Sequence, residues 1–142
     1  MECKAYPFNT LGEYKYAAII SFHNGKWVFS KPKERTTWET QGGHIGKGET
    51  PLEAAKRELF EEAGAVDFDI EPLCDYGASG TFGGVDMTAN GQVFLANIRA
   101  FTDIPGYSEM EKICLLDTPP SNLTYPEYSR EILPFAVEKL ML

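Results

Sequence analysis

GGHIGKGETPLEAAKRELFEEAGA, Gly42 to Ala65, is the stretch from which the rest of this 142-residue chain is read. Its second half has the marks of a helix over Thr50 to Ala63. Thr50 is an N-cap, Pro51 sits where proline suits a first turn, Glu53 completes a capping box, and Gly64 ends the helix. Leu52, Ala55, Leu59 and Ala63 recur at helical spacing and are expected to face a core, leaving the glutamates to point elsewhere. Glu58, Glu61 and Glu62 fall within one turn of each other, with Arg57 as the nearby cation. Like charges at that spacing destabilise a helix by roughly a few tenths of a kcal/mol per pair, so a compensating charge is expected.

A glycine-rich loop, then Glu49, then a helix crowded with carboxylates is the donor set of a hard cation. Mg²⁺ takes oxygen ligands at about 2.0–2.1 Å, commonly from one or two carboxylates and the phosphates of a substrate. The glycines do not make a nucleotide P-loop, because Gly48 follows Lys47 where Ser or Thr would be needed.

The stretch resembles the signature of the Nudix hydrolases, G-x5-E-x7-R-E-U-x-E-E-x-G-U, where U is a bulky aliphatic residue. Gly43, Glu49, Arg57, Glu58, Leu59, Glu61, Glu62 and Gly64 fall on it in register, and Ala65 is smaller than the usual final residue. The resemblance implies an α/β (α+β) fold, an α/β/α sandwich around a mixed β-sheet. It also implies metal-dependent hydrolysis of a nucleoside diphosphate linked to a further group X, with Mg²⁺ or Mn²⁺ as cofactor and water attacking phosphorus. By the same resemblance Glu58, Glu61 and Glu62 are metal ligands together with the Gly42 carbonyl. Arg57 orients the carboxylates, and Glu49 assists the metal or holds the loop. The general base differs among members; Glu58 is the choice within the signature, and Glu109 and Glu111, or Asp103, are the later candidates.

Motifs that mark the coenzyme A, NADH and ADP-ribose hydrolases of the family have no counterpart here, and Phe82 only approximates the tyrosine of diadenosine polyphosphate hydrolases. What remains is a MutT-like enzyme that converts a (deoxy)nucleoside triphosphate to the monophosphate and pyrophosphate. The entry WETQGG, Trp38 to Gly43, resembles enzymes that remove oxidised guanine nucleotides such as 8-oxo-dGTP, with Gln41 in place of the common proline. For substrate contacts the candidates are Lys31 and Arg35 on phosphate, and Phe82, Phe94, Asn97, Asn122 and Tyr125 around a base. The alternatives are a Nudix-fold sensor without turnover, a hydrolase of ADP-ribose or diadenosine polyphosphates, and an isopentenyl diphosphate isomerase. The last needs a cysteine context that Cys74 and Cys114 lack.

The remaining sequence fits one domain over residues 1–142. A net charge of −8 argues against a nucleic-acid polymer or a membrane as partner, since both attract basic surfaces. The cysteines, Cys3, Cys74 and Cys114, are three and scattered, which argues against a disulfide framework. With no apolar run approaching the ~20 residues of a membrane span, a cytoplasmic protein is expected. Homodimers are common in the family, though no surface in this sequence announces one. Tyr16 to Phe22 and Lys26 to Ser30 form an expected hairpin, and further strands are expected at Ile70 to Tyr76, Gln92 to Phe101 and Lys112 to Leu116. Gly77 to Gly91 reads as a mobile hairpin loop between two of them. Ser129 to Leu142 reads as a closing helix in which Pro134 marks a kink or the true start.

Overall fold

Apolar residues run without a break from Ala17 to Ile20, the pattern of a strand covered on both faces. The computed structural model describes residues 1–141, the side chains of Phe82 and Met141 excepted. Its elements are β1 (Glu2–Tyr6), β2 (Tyr14–His23), β3 (Lys26–Pro32), β4 (Gln41–His44), α1 (Pro51–Ala63), β5 (Ala65–Phe82), β6 (Val85–Phe101), β7 (Met110–Leu116) and α2 (Pro126–Met141). The sheet runs β1-β5-β6-β2-β3-β7, with β4 pairing β2 off this path. Among the described strands β2 and β6 are parallel and the other strand pairs antiparallel, and an isolated parallel bridge joins Trp38 to Leu123.

Because side chains alternate along a strand, β2 sorts its residues between two cores. Ala17 and Ile19 join Val28, Phe94 and Ile98 beneath Ala54, Ala55, Leu59 and Ala63 of α1. Ala18, Ile20 and Phe22 join Trp27 and Phe29 against Tyr128, Ile132, Leu133 and Ala136 of α2. The two helices therefore cover opposite faces, which is the α/β/α sandwich with a mixed sheet that the signature implies.

The caps of α1 are those expected. Thr50 accepts from the Glu53 N–H while the Glu53 side chain accepts from the Thr50 N–H. Gly64 adopts φ 70° and donates to the Phe60 carbonyl at 2.8 Å. A side chain there would also strike the Thr102 carbonyl oxygen, which itself lies beside the strand exit. The buried face differs from expectation at two places. Leu52, in the first turn, is exposed at 38 %, and Ala54 occupies the core in its stead. Glu62 is not on the solvent side at all but is only 9 % exposed.

Gly77 to Gly91 is a hairpin as expected, but its arms are paired strand where a loop was expected. Gly77 pairs with Asn90 and the ladder continues to Phe82 opposite Val85, so β5 and β6 form one long hairpin turning at Gly83 and Gly84. Its glycine content hid a cross-strand pairing that Thr81 and Asp86 reinforce with a 2.7 Å hydrogen bond. Two strands were unforeseen. β1 has a partner only in β5, from Glu2 opposite Ser79 to Tyr6 opposite Asp75, and β4, with two glycines among four residues, carries no strand-like alternation. The closing helix starts earlier than expected, at Pro126, and continues through Pro134. The three cysteines are free thiols, and no helix among the described residues is long and apolar enough to cross a membrane.

Asp75 pins the segment between β1 and β2. It is fully buried and accepts from the backbone N–H groups of Asn9, Thr10 and Leu11 at 3.0–3.1 Å, from the Tyr14 hydroxyl at 2.5 Å and from Gln92 at 3.2 Å. Burial alone would raise its pKa, but these donors outweigh it and hold the carboxyl below its ordinary value. We predict that Asp75→Ala, which orphans three backbone donors and a hydroxyl, lowers stability by about 2–4 kcal/mol in chemical denaturation. A loss under 1 kcal/mol would mean that water replaces the carboxylate.

Candidate active site

The C-terminal half of α1 and the β4 strand meet where the signature residues converge. Arg57 extends from α1 and grips Glu49 with two parallel hydrogen bonds, Nε to Oε2 at 2.7 Å and Nη2 to Oε1 at 2.9 Å. Its Nη1 donates to Glu58 Oε1 at 2.9 Å and to Glu61 Oε1 at 2.7 Å, while Nη2 also reaches the His44 carbonyl at 3.1 Å. One guanidinium thus holds three carboxylates, and the expected cationic compensation for the acidic turn is found in Arg57 itself. The Arg57 fork, helped by the Gly46 N–H at 2.6 Å, pulls the Glu49 carboxyl down to about 2.

The other glutamates differ from Glu49 through burial. Burial raises the Glu58 carboxyl against the pull of Arg57. Glu62 is pushed up to about 9, first by burial and then by the neighbouring Glu58, Glu39 and Glu109. Its one counterweight is the Gly42 N–H, which donates to Glu62 Oε1 at 2.8 Å. Gly43 is required by a close approach: a Cβ at that position would lie 2.5 Å from Glu58 Oε1.

A polar relay fixes the end of α1 to the sheet. Ser21 donates to Gln41 Oε1 at 2.5 Å, Gln41 Nε2 donates to Ser30 Oγ at 2.9 Å and to the Val28 carbonyl at 3.2 Å, and Ser30 donates to the Glu62 carbonyl at 2.8 Å. Gln41 is fully buried and every polar atom of its amide that the relay uses is satisfied. That is how a glutamine stands where proline is common.

Glu62, Gly42 and Gly43 line a cleft of about 520 Å³, whose other walls include Glu39, Glu109 and Tyr125. A more open depression of about 770 Å³ between β1, β5 and α2 holds none of the signature glutamates. Among the described residues no three His, Cys, Asp or Glu side chains form a ready-made cation cage. The donor chemistry nevertheless fits a hard cation. Arg57 engages one oxygen each of Glu58 and Glu61, Gly42 engages one of Glu62, and the second oxygen of each makes no protein hydrogen bond among the described residues. Several carboxylates crowd around Glu62 with no cation beside it, so a bound divalent ion would relieve the repulsion that raises its pKa.

The later carboxylate at the cleft is Glu109; Glu111 points to Lys31 Nζ at 3.0 Å, and that pair lies outside the cleft lining. Lys31 is thereby already partnered. Arg35 is exposed on the loop after β3, with its N–H on the Pro32 carbonyl. The Asn122 side chain donates to the Thr36 carbonyl at 3.1 Å and its own carbonyl accepts from the Trp38 N–H, so it secures a loop. The Phe82 side chain lies outside the described residues; its backbone sits at the tip of the β5–β6 hairpin. Phe94 is buried against Phe8, Asn97 is exposed away from the cleft, and Asp103 is exposed and outside it. Of the expected base contacts with described side chains, Tyr125 alone lines the cleft. Sequence reasoning missed Glu39, whose only signal is its place between Trp38 and the glycines that open the signature.

The profile of the NUDIX domain matches residues 16–105. The RNA pyrophosphohydrolase of Francisella philomiragia is 42% identical over 57 residues, 39% of this chain and 37% of that protein. The chain thus spans well under half the length of the curated relatives it matches. A Bacillus subtilis pyrophosphohydrolase superposes with a TM-score of 0.79 over 98% of this chain and 89% of its own, at 23% identity. A Caenorhabditis elegans Ap4A hydrolase in a binary complex gives 0.65 over 90% of this chain and 100% of its own, at 16% identity. At those identities the structural likeness speaks for the fold alone. With the profile matched over most of the chain and the signature assembled in space around Arg57, this chain belongs to the NUDIX domain family.

Proposed function

We propose that this chain hydrolyses a nucleoside 5′-triphosphate to the monophosphate and pyrophosphate. The observation that carries the reading is the Arg57 clasp on Glu49, Glu58 and Glu61, bordering a cleft whose wall contains Glu62 and Glu109. Glu58, Glu61 and Glu62, with the Gly42 carbonyl, hold one or more Mg²⁺ or Mn²⁺ ions. When bound, such ions neutralise the phosphates and acidify a coordinated water.

The residues of the chain supply the rest. Glu58, whose proton affinity burial raises, takes the proton from the attacking water. The water oxygen bonds to phosphorus as the bond to the departing pyrophosphate breaks. Glu109, across the cleft, is the second candidate for that proton. Arg57 keeps Glu58 and Glu61 from repelling each other into unproductive rotamers, and Glu49 holds Arg57 in turn.

A second reading, the 5′-triphosphate end of an RNA, is favoured by the Francisella relatives, which are named RNA pyrophosphohydrolases. Both substrates present the same triphosphate. A panel of normal and oxidised deoxynucleoside triphosphates, 8-oxo-dGTP among them, 5′-triphosphorylated RNA, ADP-ribose and diadenosine polyphosphates separates them by pyrophosphate release. Metal-dependent binding without release from any of these would indicate a nucleotide sensor instead.

Two outcomes follow from the assigned roles. Glu61→Gln and Glu62→Gln are each expected to lower kcat by at least about 100-fold under Mg²⁺ with the fold intact. Near-wild-type turnover in either variant would remove that glutamate from the metal site. The second concerns pH. Without a cation, folded Glu62 keeps its proton up to about pH 9 while the unfolded chain releases it near 4.5, so stability present at low pH is lost as pH rises between those values. In chelator, Glu62→Gln is therefore expected to match the wild type near pH 5 and to exceed it by about 2 kcal/mol at pH 9. Added Mg²⁺ should raise the Tm of the wild type and leave the variant unmoved; equal shifts in both would place the ion elsewhere.

A further inference from the structure

The cleft carries two buried polar atoms that the phosphate chemistry does not use. Glu39 Oε2 and the Tyr128 hydroxyl are both buried, and neither has a hydrogen-bond partner among the described residues. Tyr128 is 9 % exposed, and the Thr40 side chain lies beside its hydroxyl without completing a hydrogen bond. Both residues line the same cleft as Glu62. A buried polar atom left unpaired costs about 1–3 kcal/mol, a cost that a ligand offering the complementary groups removes.

The backbone holds Glu39 rigidly for such a task. Its N–H and carbonyl exchange hydrogen bonds with Ser30 at 2.8–2.9 Å, and the neighbouring Trp38 is bonded on both sides, to the Asn122 carbonyl and from the Thr124 N–H. Glu39 is near enough to Glu62 and to Tyr125 to raise the proton affinity of each. Glu39, Glu62 and Tyr125 line the same cleft. Tyr125 is 45 % exposed and offers a ring face on which a base can stack.

We propose that Glu39 and Tyr128 read the base of the nucleotide and select guanine. This rests on the nucleotide-hydrolase reading above. A carboxylate only accepts, with two oxygens, and a tyrosine hydroxyl can donate. Guanine presents the complement on its Watson–Crick edge: two adjacent donors, N1–H and N2–H, beside the acceptor O6. Adenine, cytosine and uracil each offer a single ring-edge donor or donor group there, so none satisfies both carboxylate oxygens. The same edge is present in 8-oxoguanine, so this contact selects guanine without regard to oxidation at C8.

The test is equilibrium binding of GMP and AMP, in Mg²⁺, to the wild type, Glu39→Gln and Tyr128→Phe, followed by calorimetry. The wild type is expected to bind GMP at least about tenfold more tightly than AMP, in keeping with sites built to hydrogen-bond a substrate edge. Glu39→Gln, which exchanges one acceptor for a donor, should bring the two affinities within about twofold. Tyr128→Phe should weaken GMP several-fold while raising Tm, because it removes an unsatisfied hydroxyl. Equal affinities in the wild type, no binding of either nucleotide, or a Glu39→Gln variant that weakens both alike would overturn the assignment. GMP affinity unchanged in Tyr128→Phe would remove that residue from it. A guanine preference in binding with no pyrophosphate released from any triphosphate would instead sink the hydrolase reading and leave the base site standing.

Discussion

The guanidinium of Arg57 is the constraint on which the site depends. Without it, Glu49, Glu58 and Glu61 would meet at the end of one helix as uncompensated anions, and the loop that carries Glu49 would have no tie to α1. The exposed Arg99, by contrast, bridges Asp67 and Asp69 on the open face of the β5–β6 hairpin, where solvent screens the pairing. The difference lies in what the ion pairs hold: one ties strands together, the other sets the rotamers of a cluster. Glu62 escapes this arrangement. It has a backbone N–H in place of a cation, and its proton affinity is raised first by burial and then by the carboxylates around it.

The sheet makes that cluster possible by facing two ways. β2 is the one strand with antiparallel partners in β3 and β4 and a parallel partner in β6, so it is buried along most of its length. Alternate residues commit to α1 or to α2, and the Ser21–Gln41–Ser30 relay passes between the strands to reach the last turn of α1. Packing therefore positions the helix laterally, and the relay fixes its end.

What was legible in the sequence was local. The caps of α1, the register of the signature and the β2–β3 turn at Asn24 and Gly25, both at positive φ, are written within a few residues of where they act. The parts that were not legible depend on distant partners. β1 becomes a strand because β5 lies beside it, and the arms of the glycine-rich hairpin to Gly91 are paired strand because its two halves match in register. Glu62 carried no sign of burial, since its seat is made by the Gly42 backbone and the relay. Glu111 looked as suitable as Glu109 until the β3–β7 ladder set Lys31 opposite Lys112 and gave Glu111 a partner beside it. Asp75 belongs to no motif and Glu39 has only its place in the entry WETQGG, so the atoms around them distinguish them from other acids.

The placement of Tyr128 on α2 has a consequence for the order in which the molecule is assembled. The cleft draws Cys3 from β1, Glu62 from α1 and Tyr128 from the last helix, so its walls come from both ends of the chain. During synthesis β1 waits for β5 to emerge, and the face of β2 that carries Ile20 and Phe22 waits for α2. Pairings so far apart in sequence close late and fold slowly. A nascent chain can thus form the capped α1 helix and the β2–β3 hairpin early, yet the cleft wall that carries Tyr128 is missing until α2 has left the ribosome.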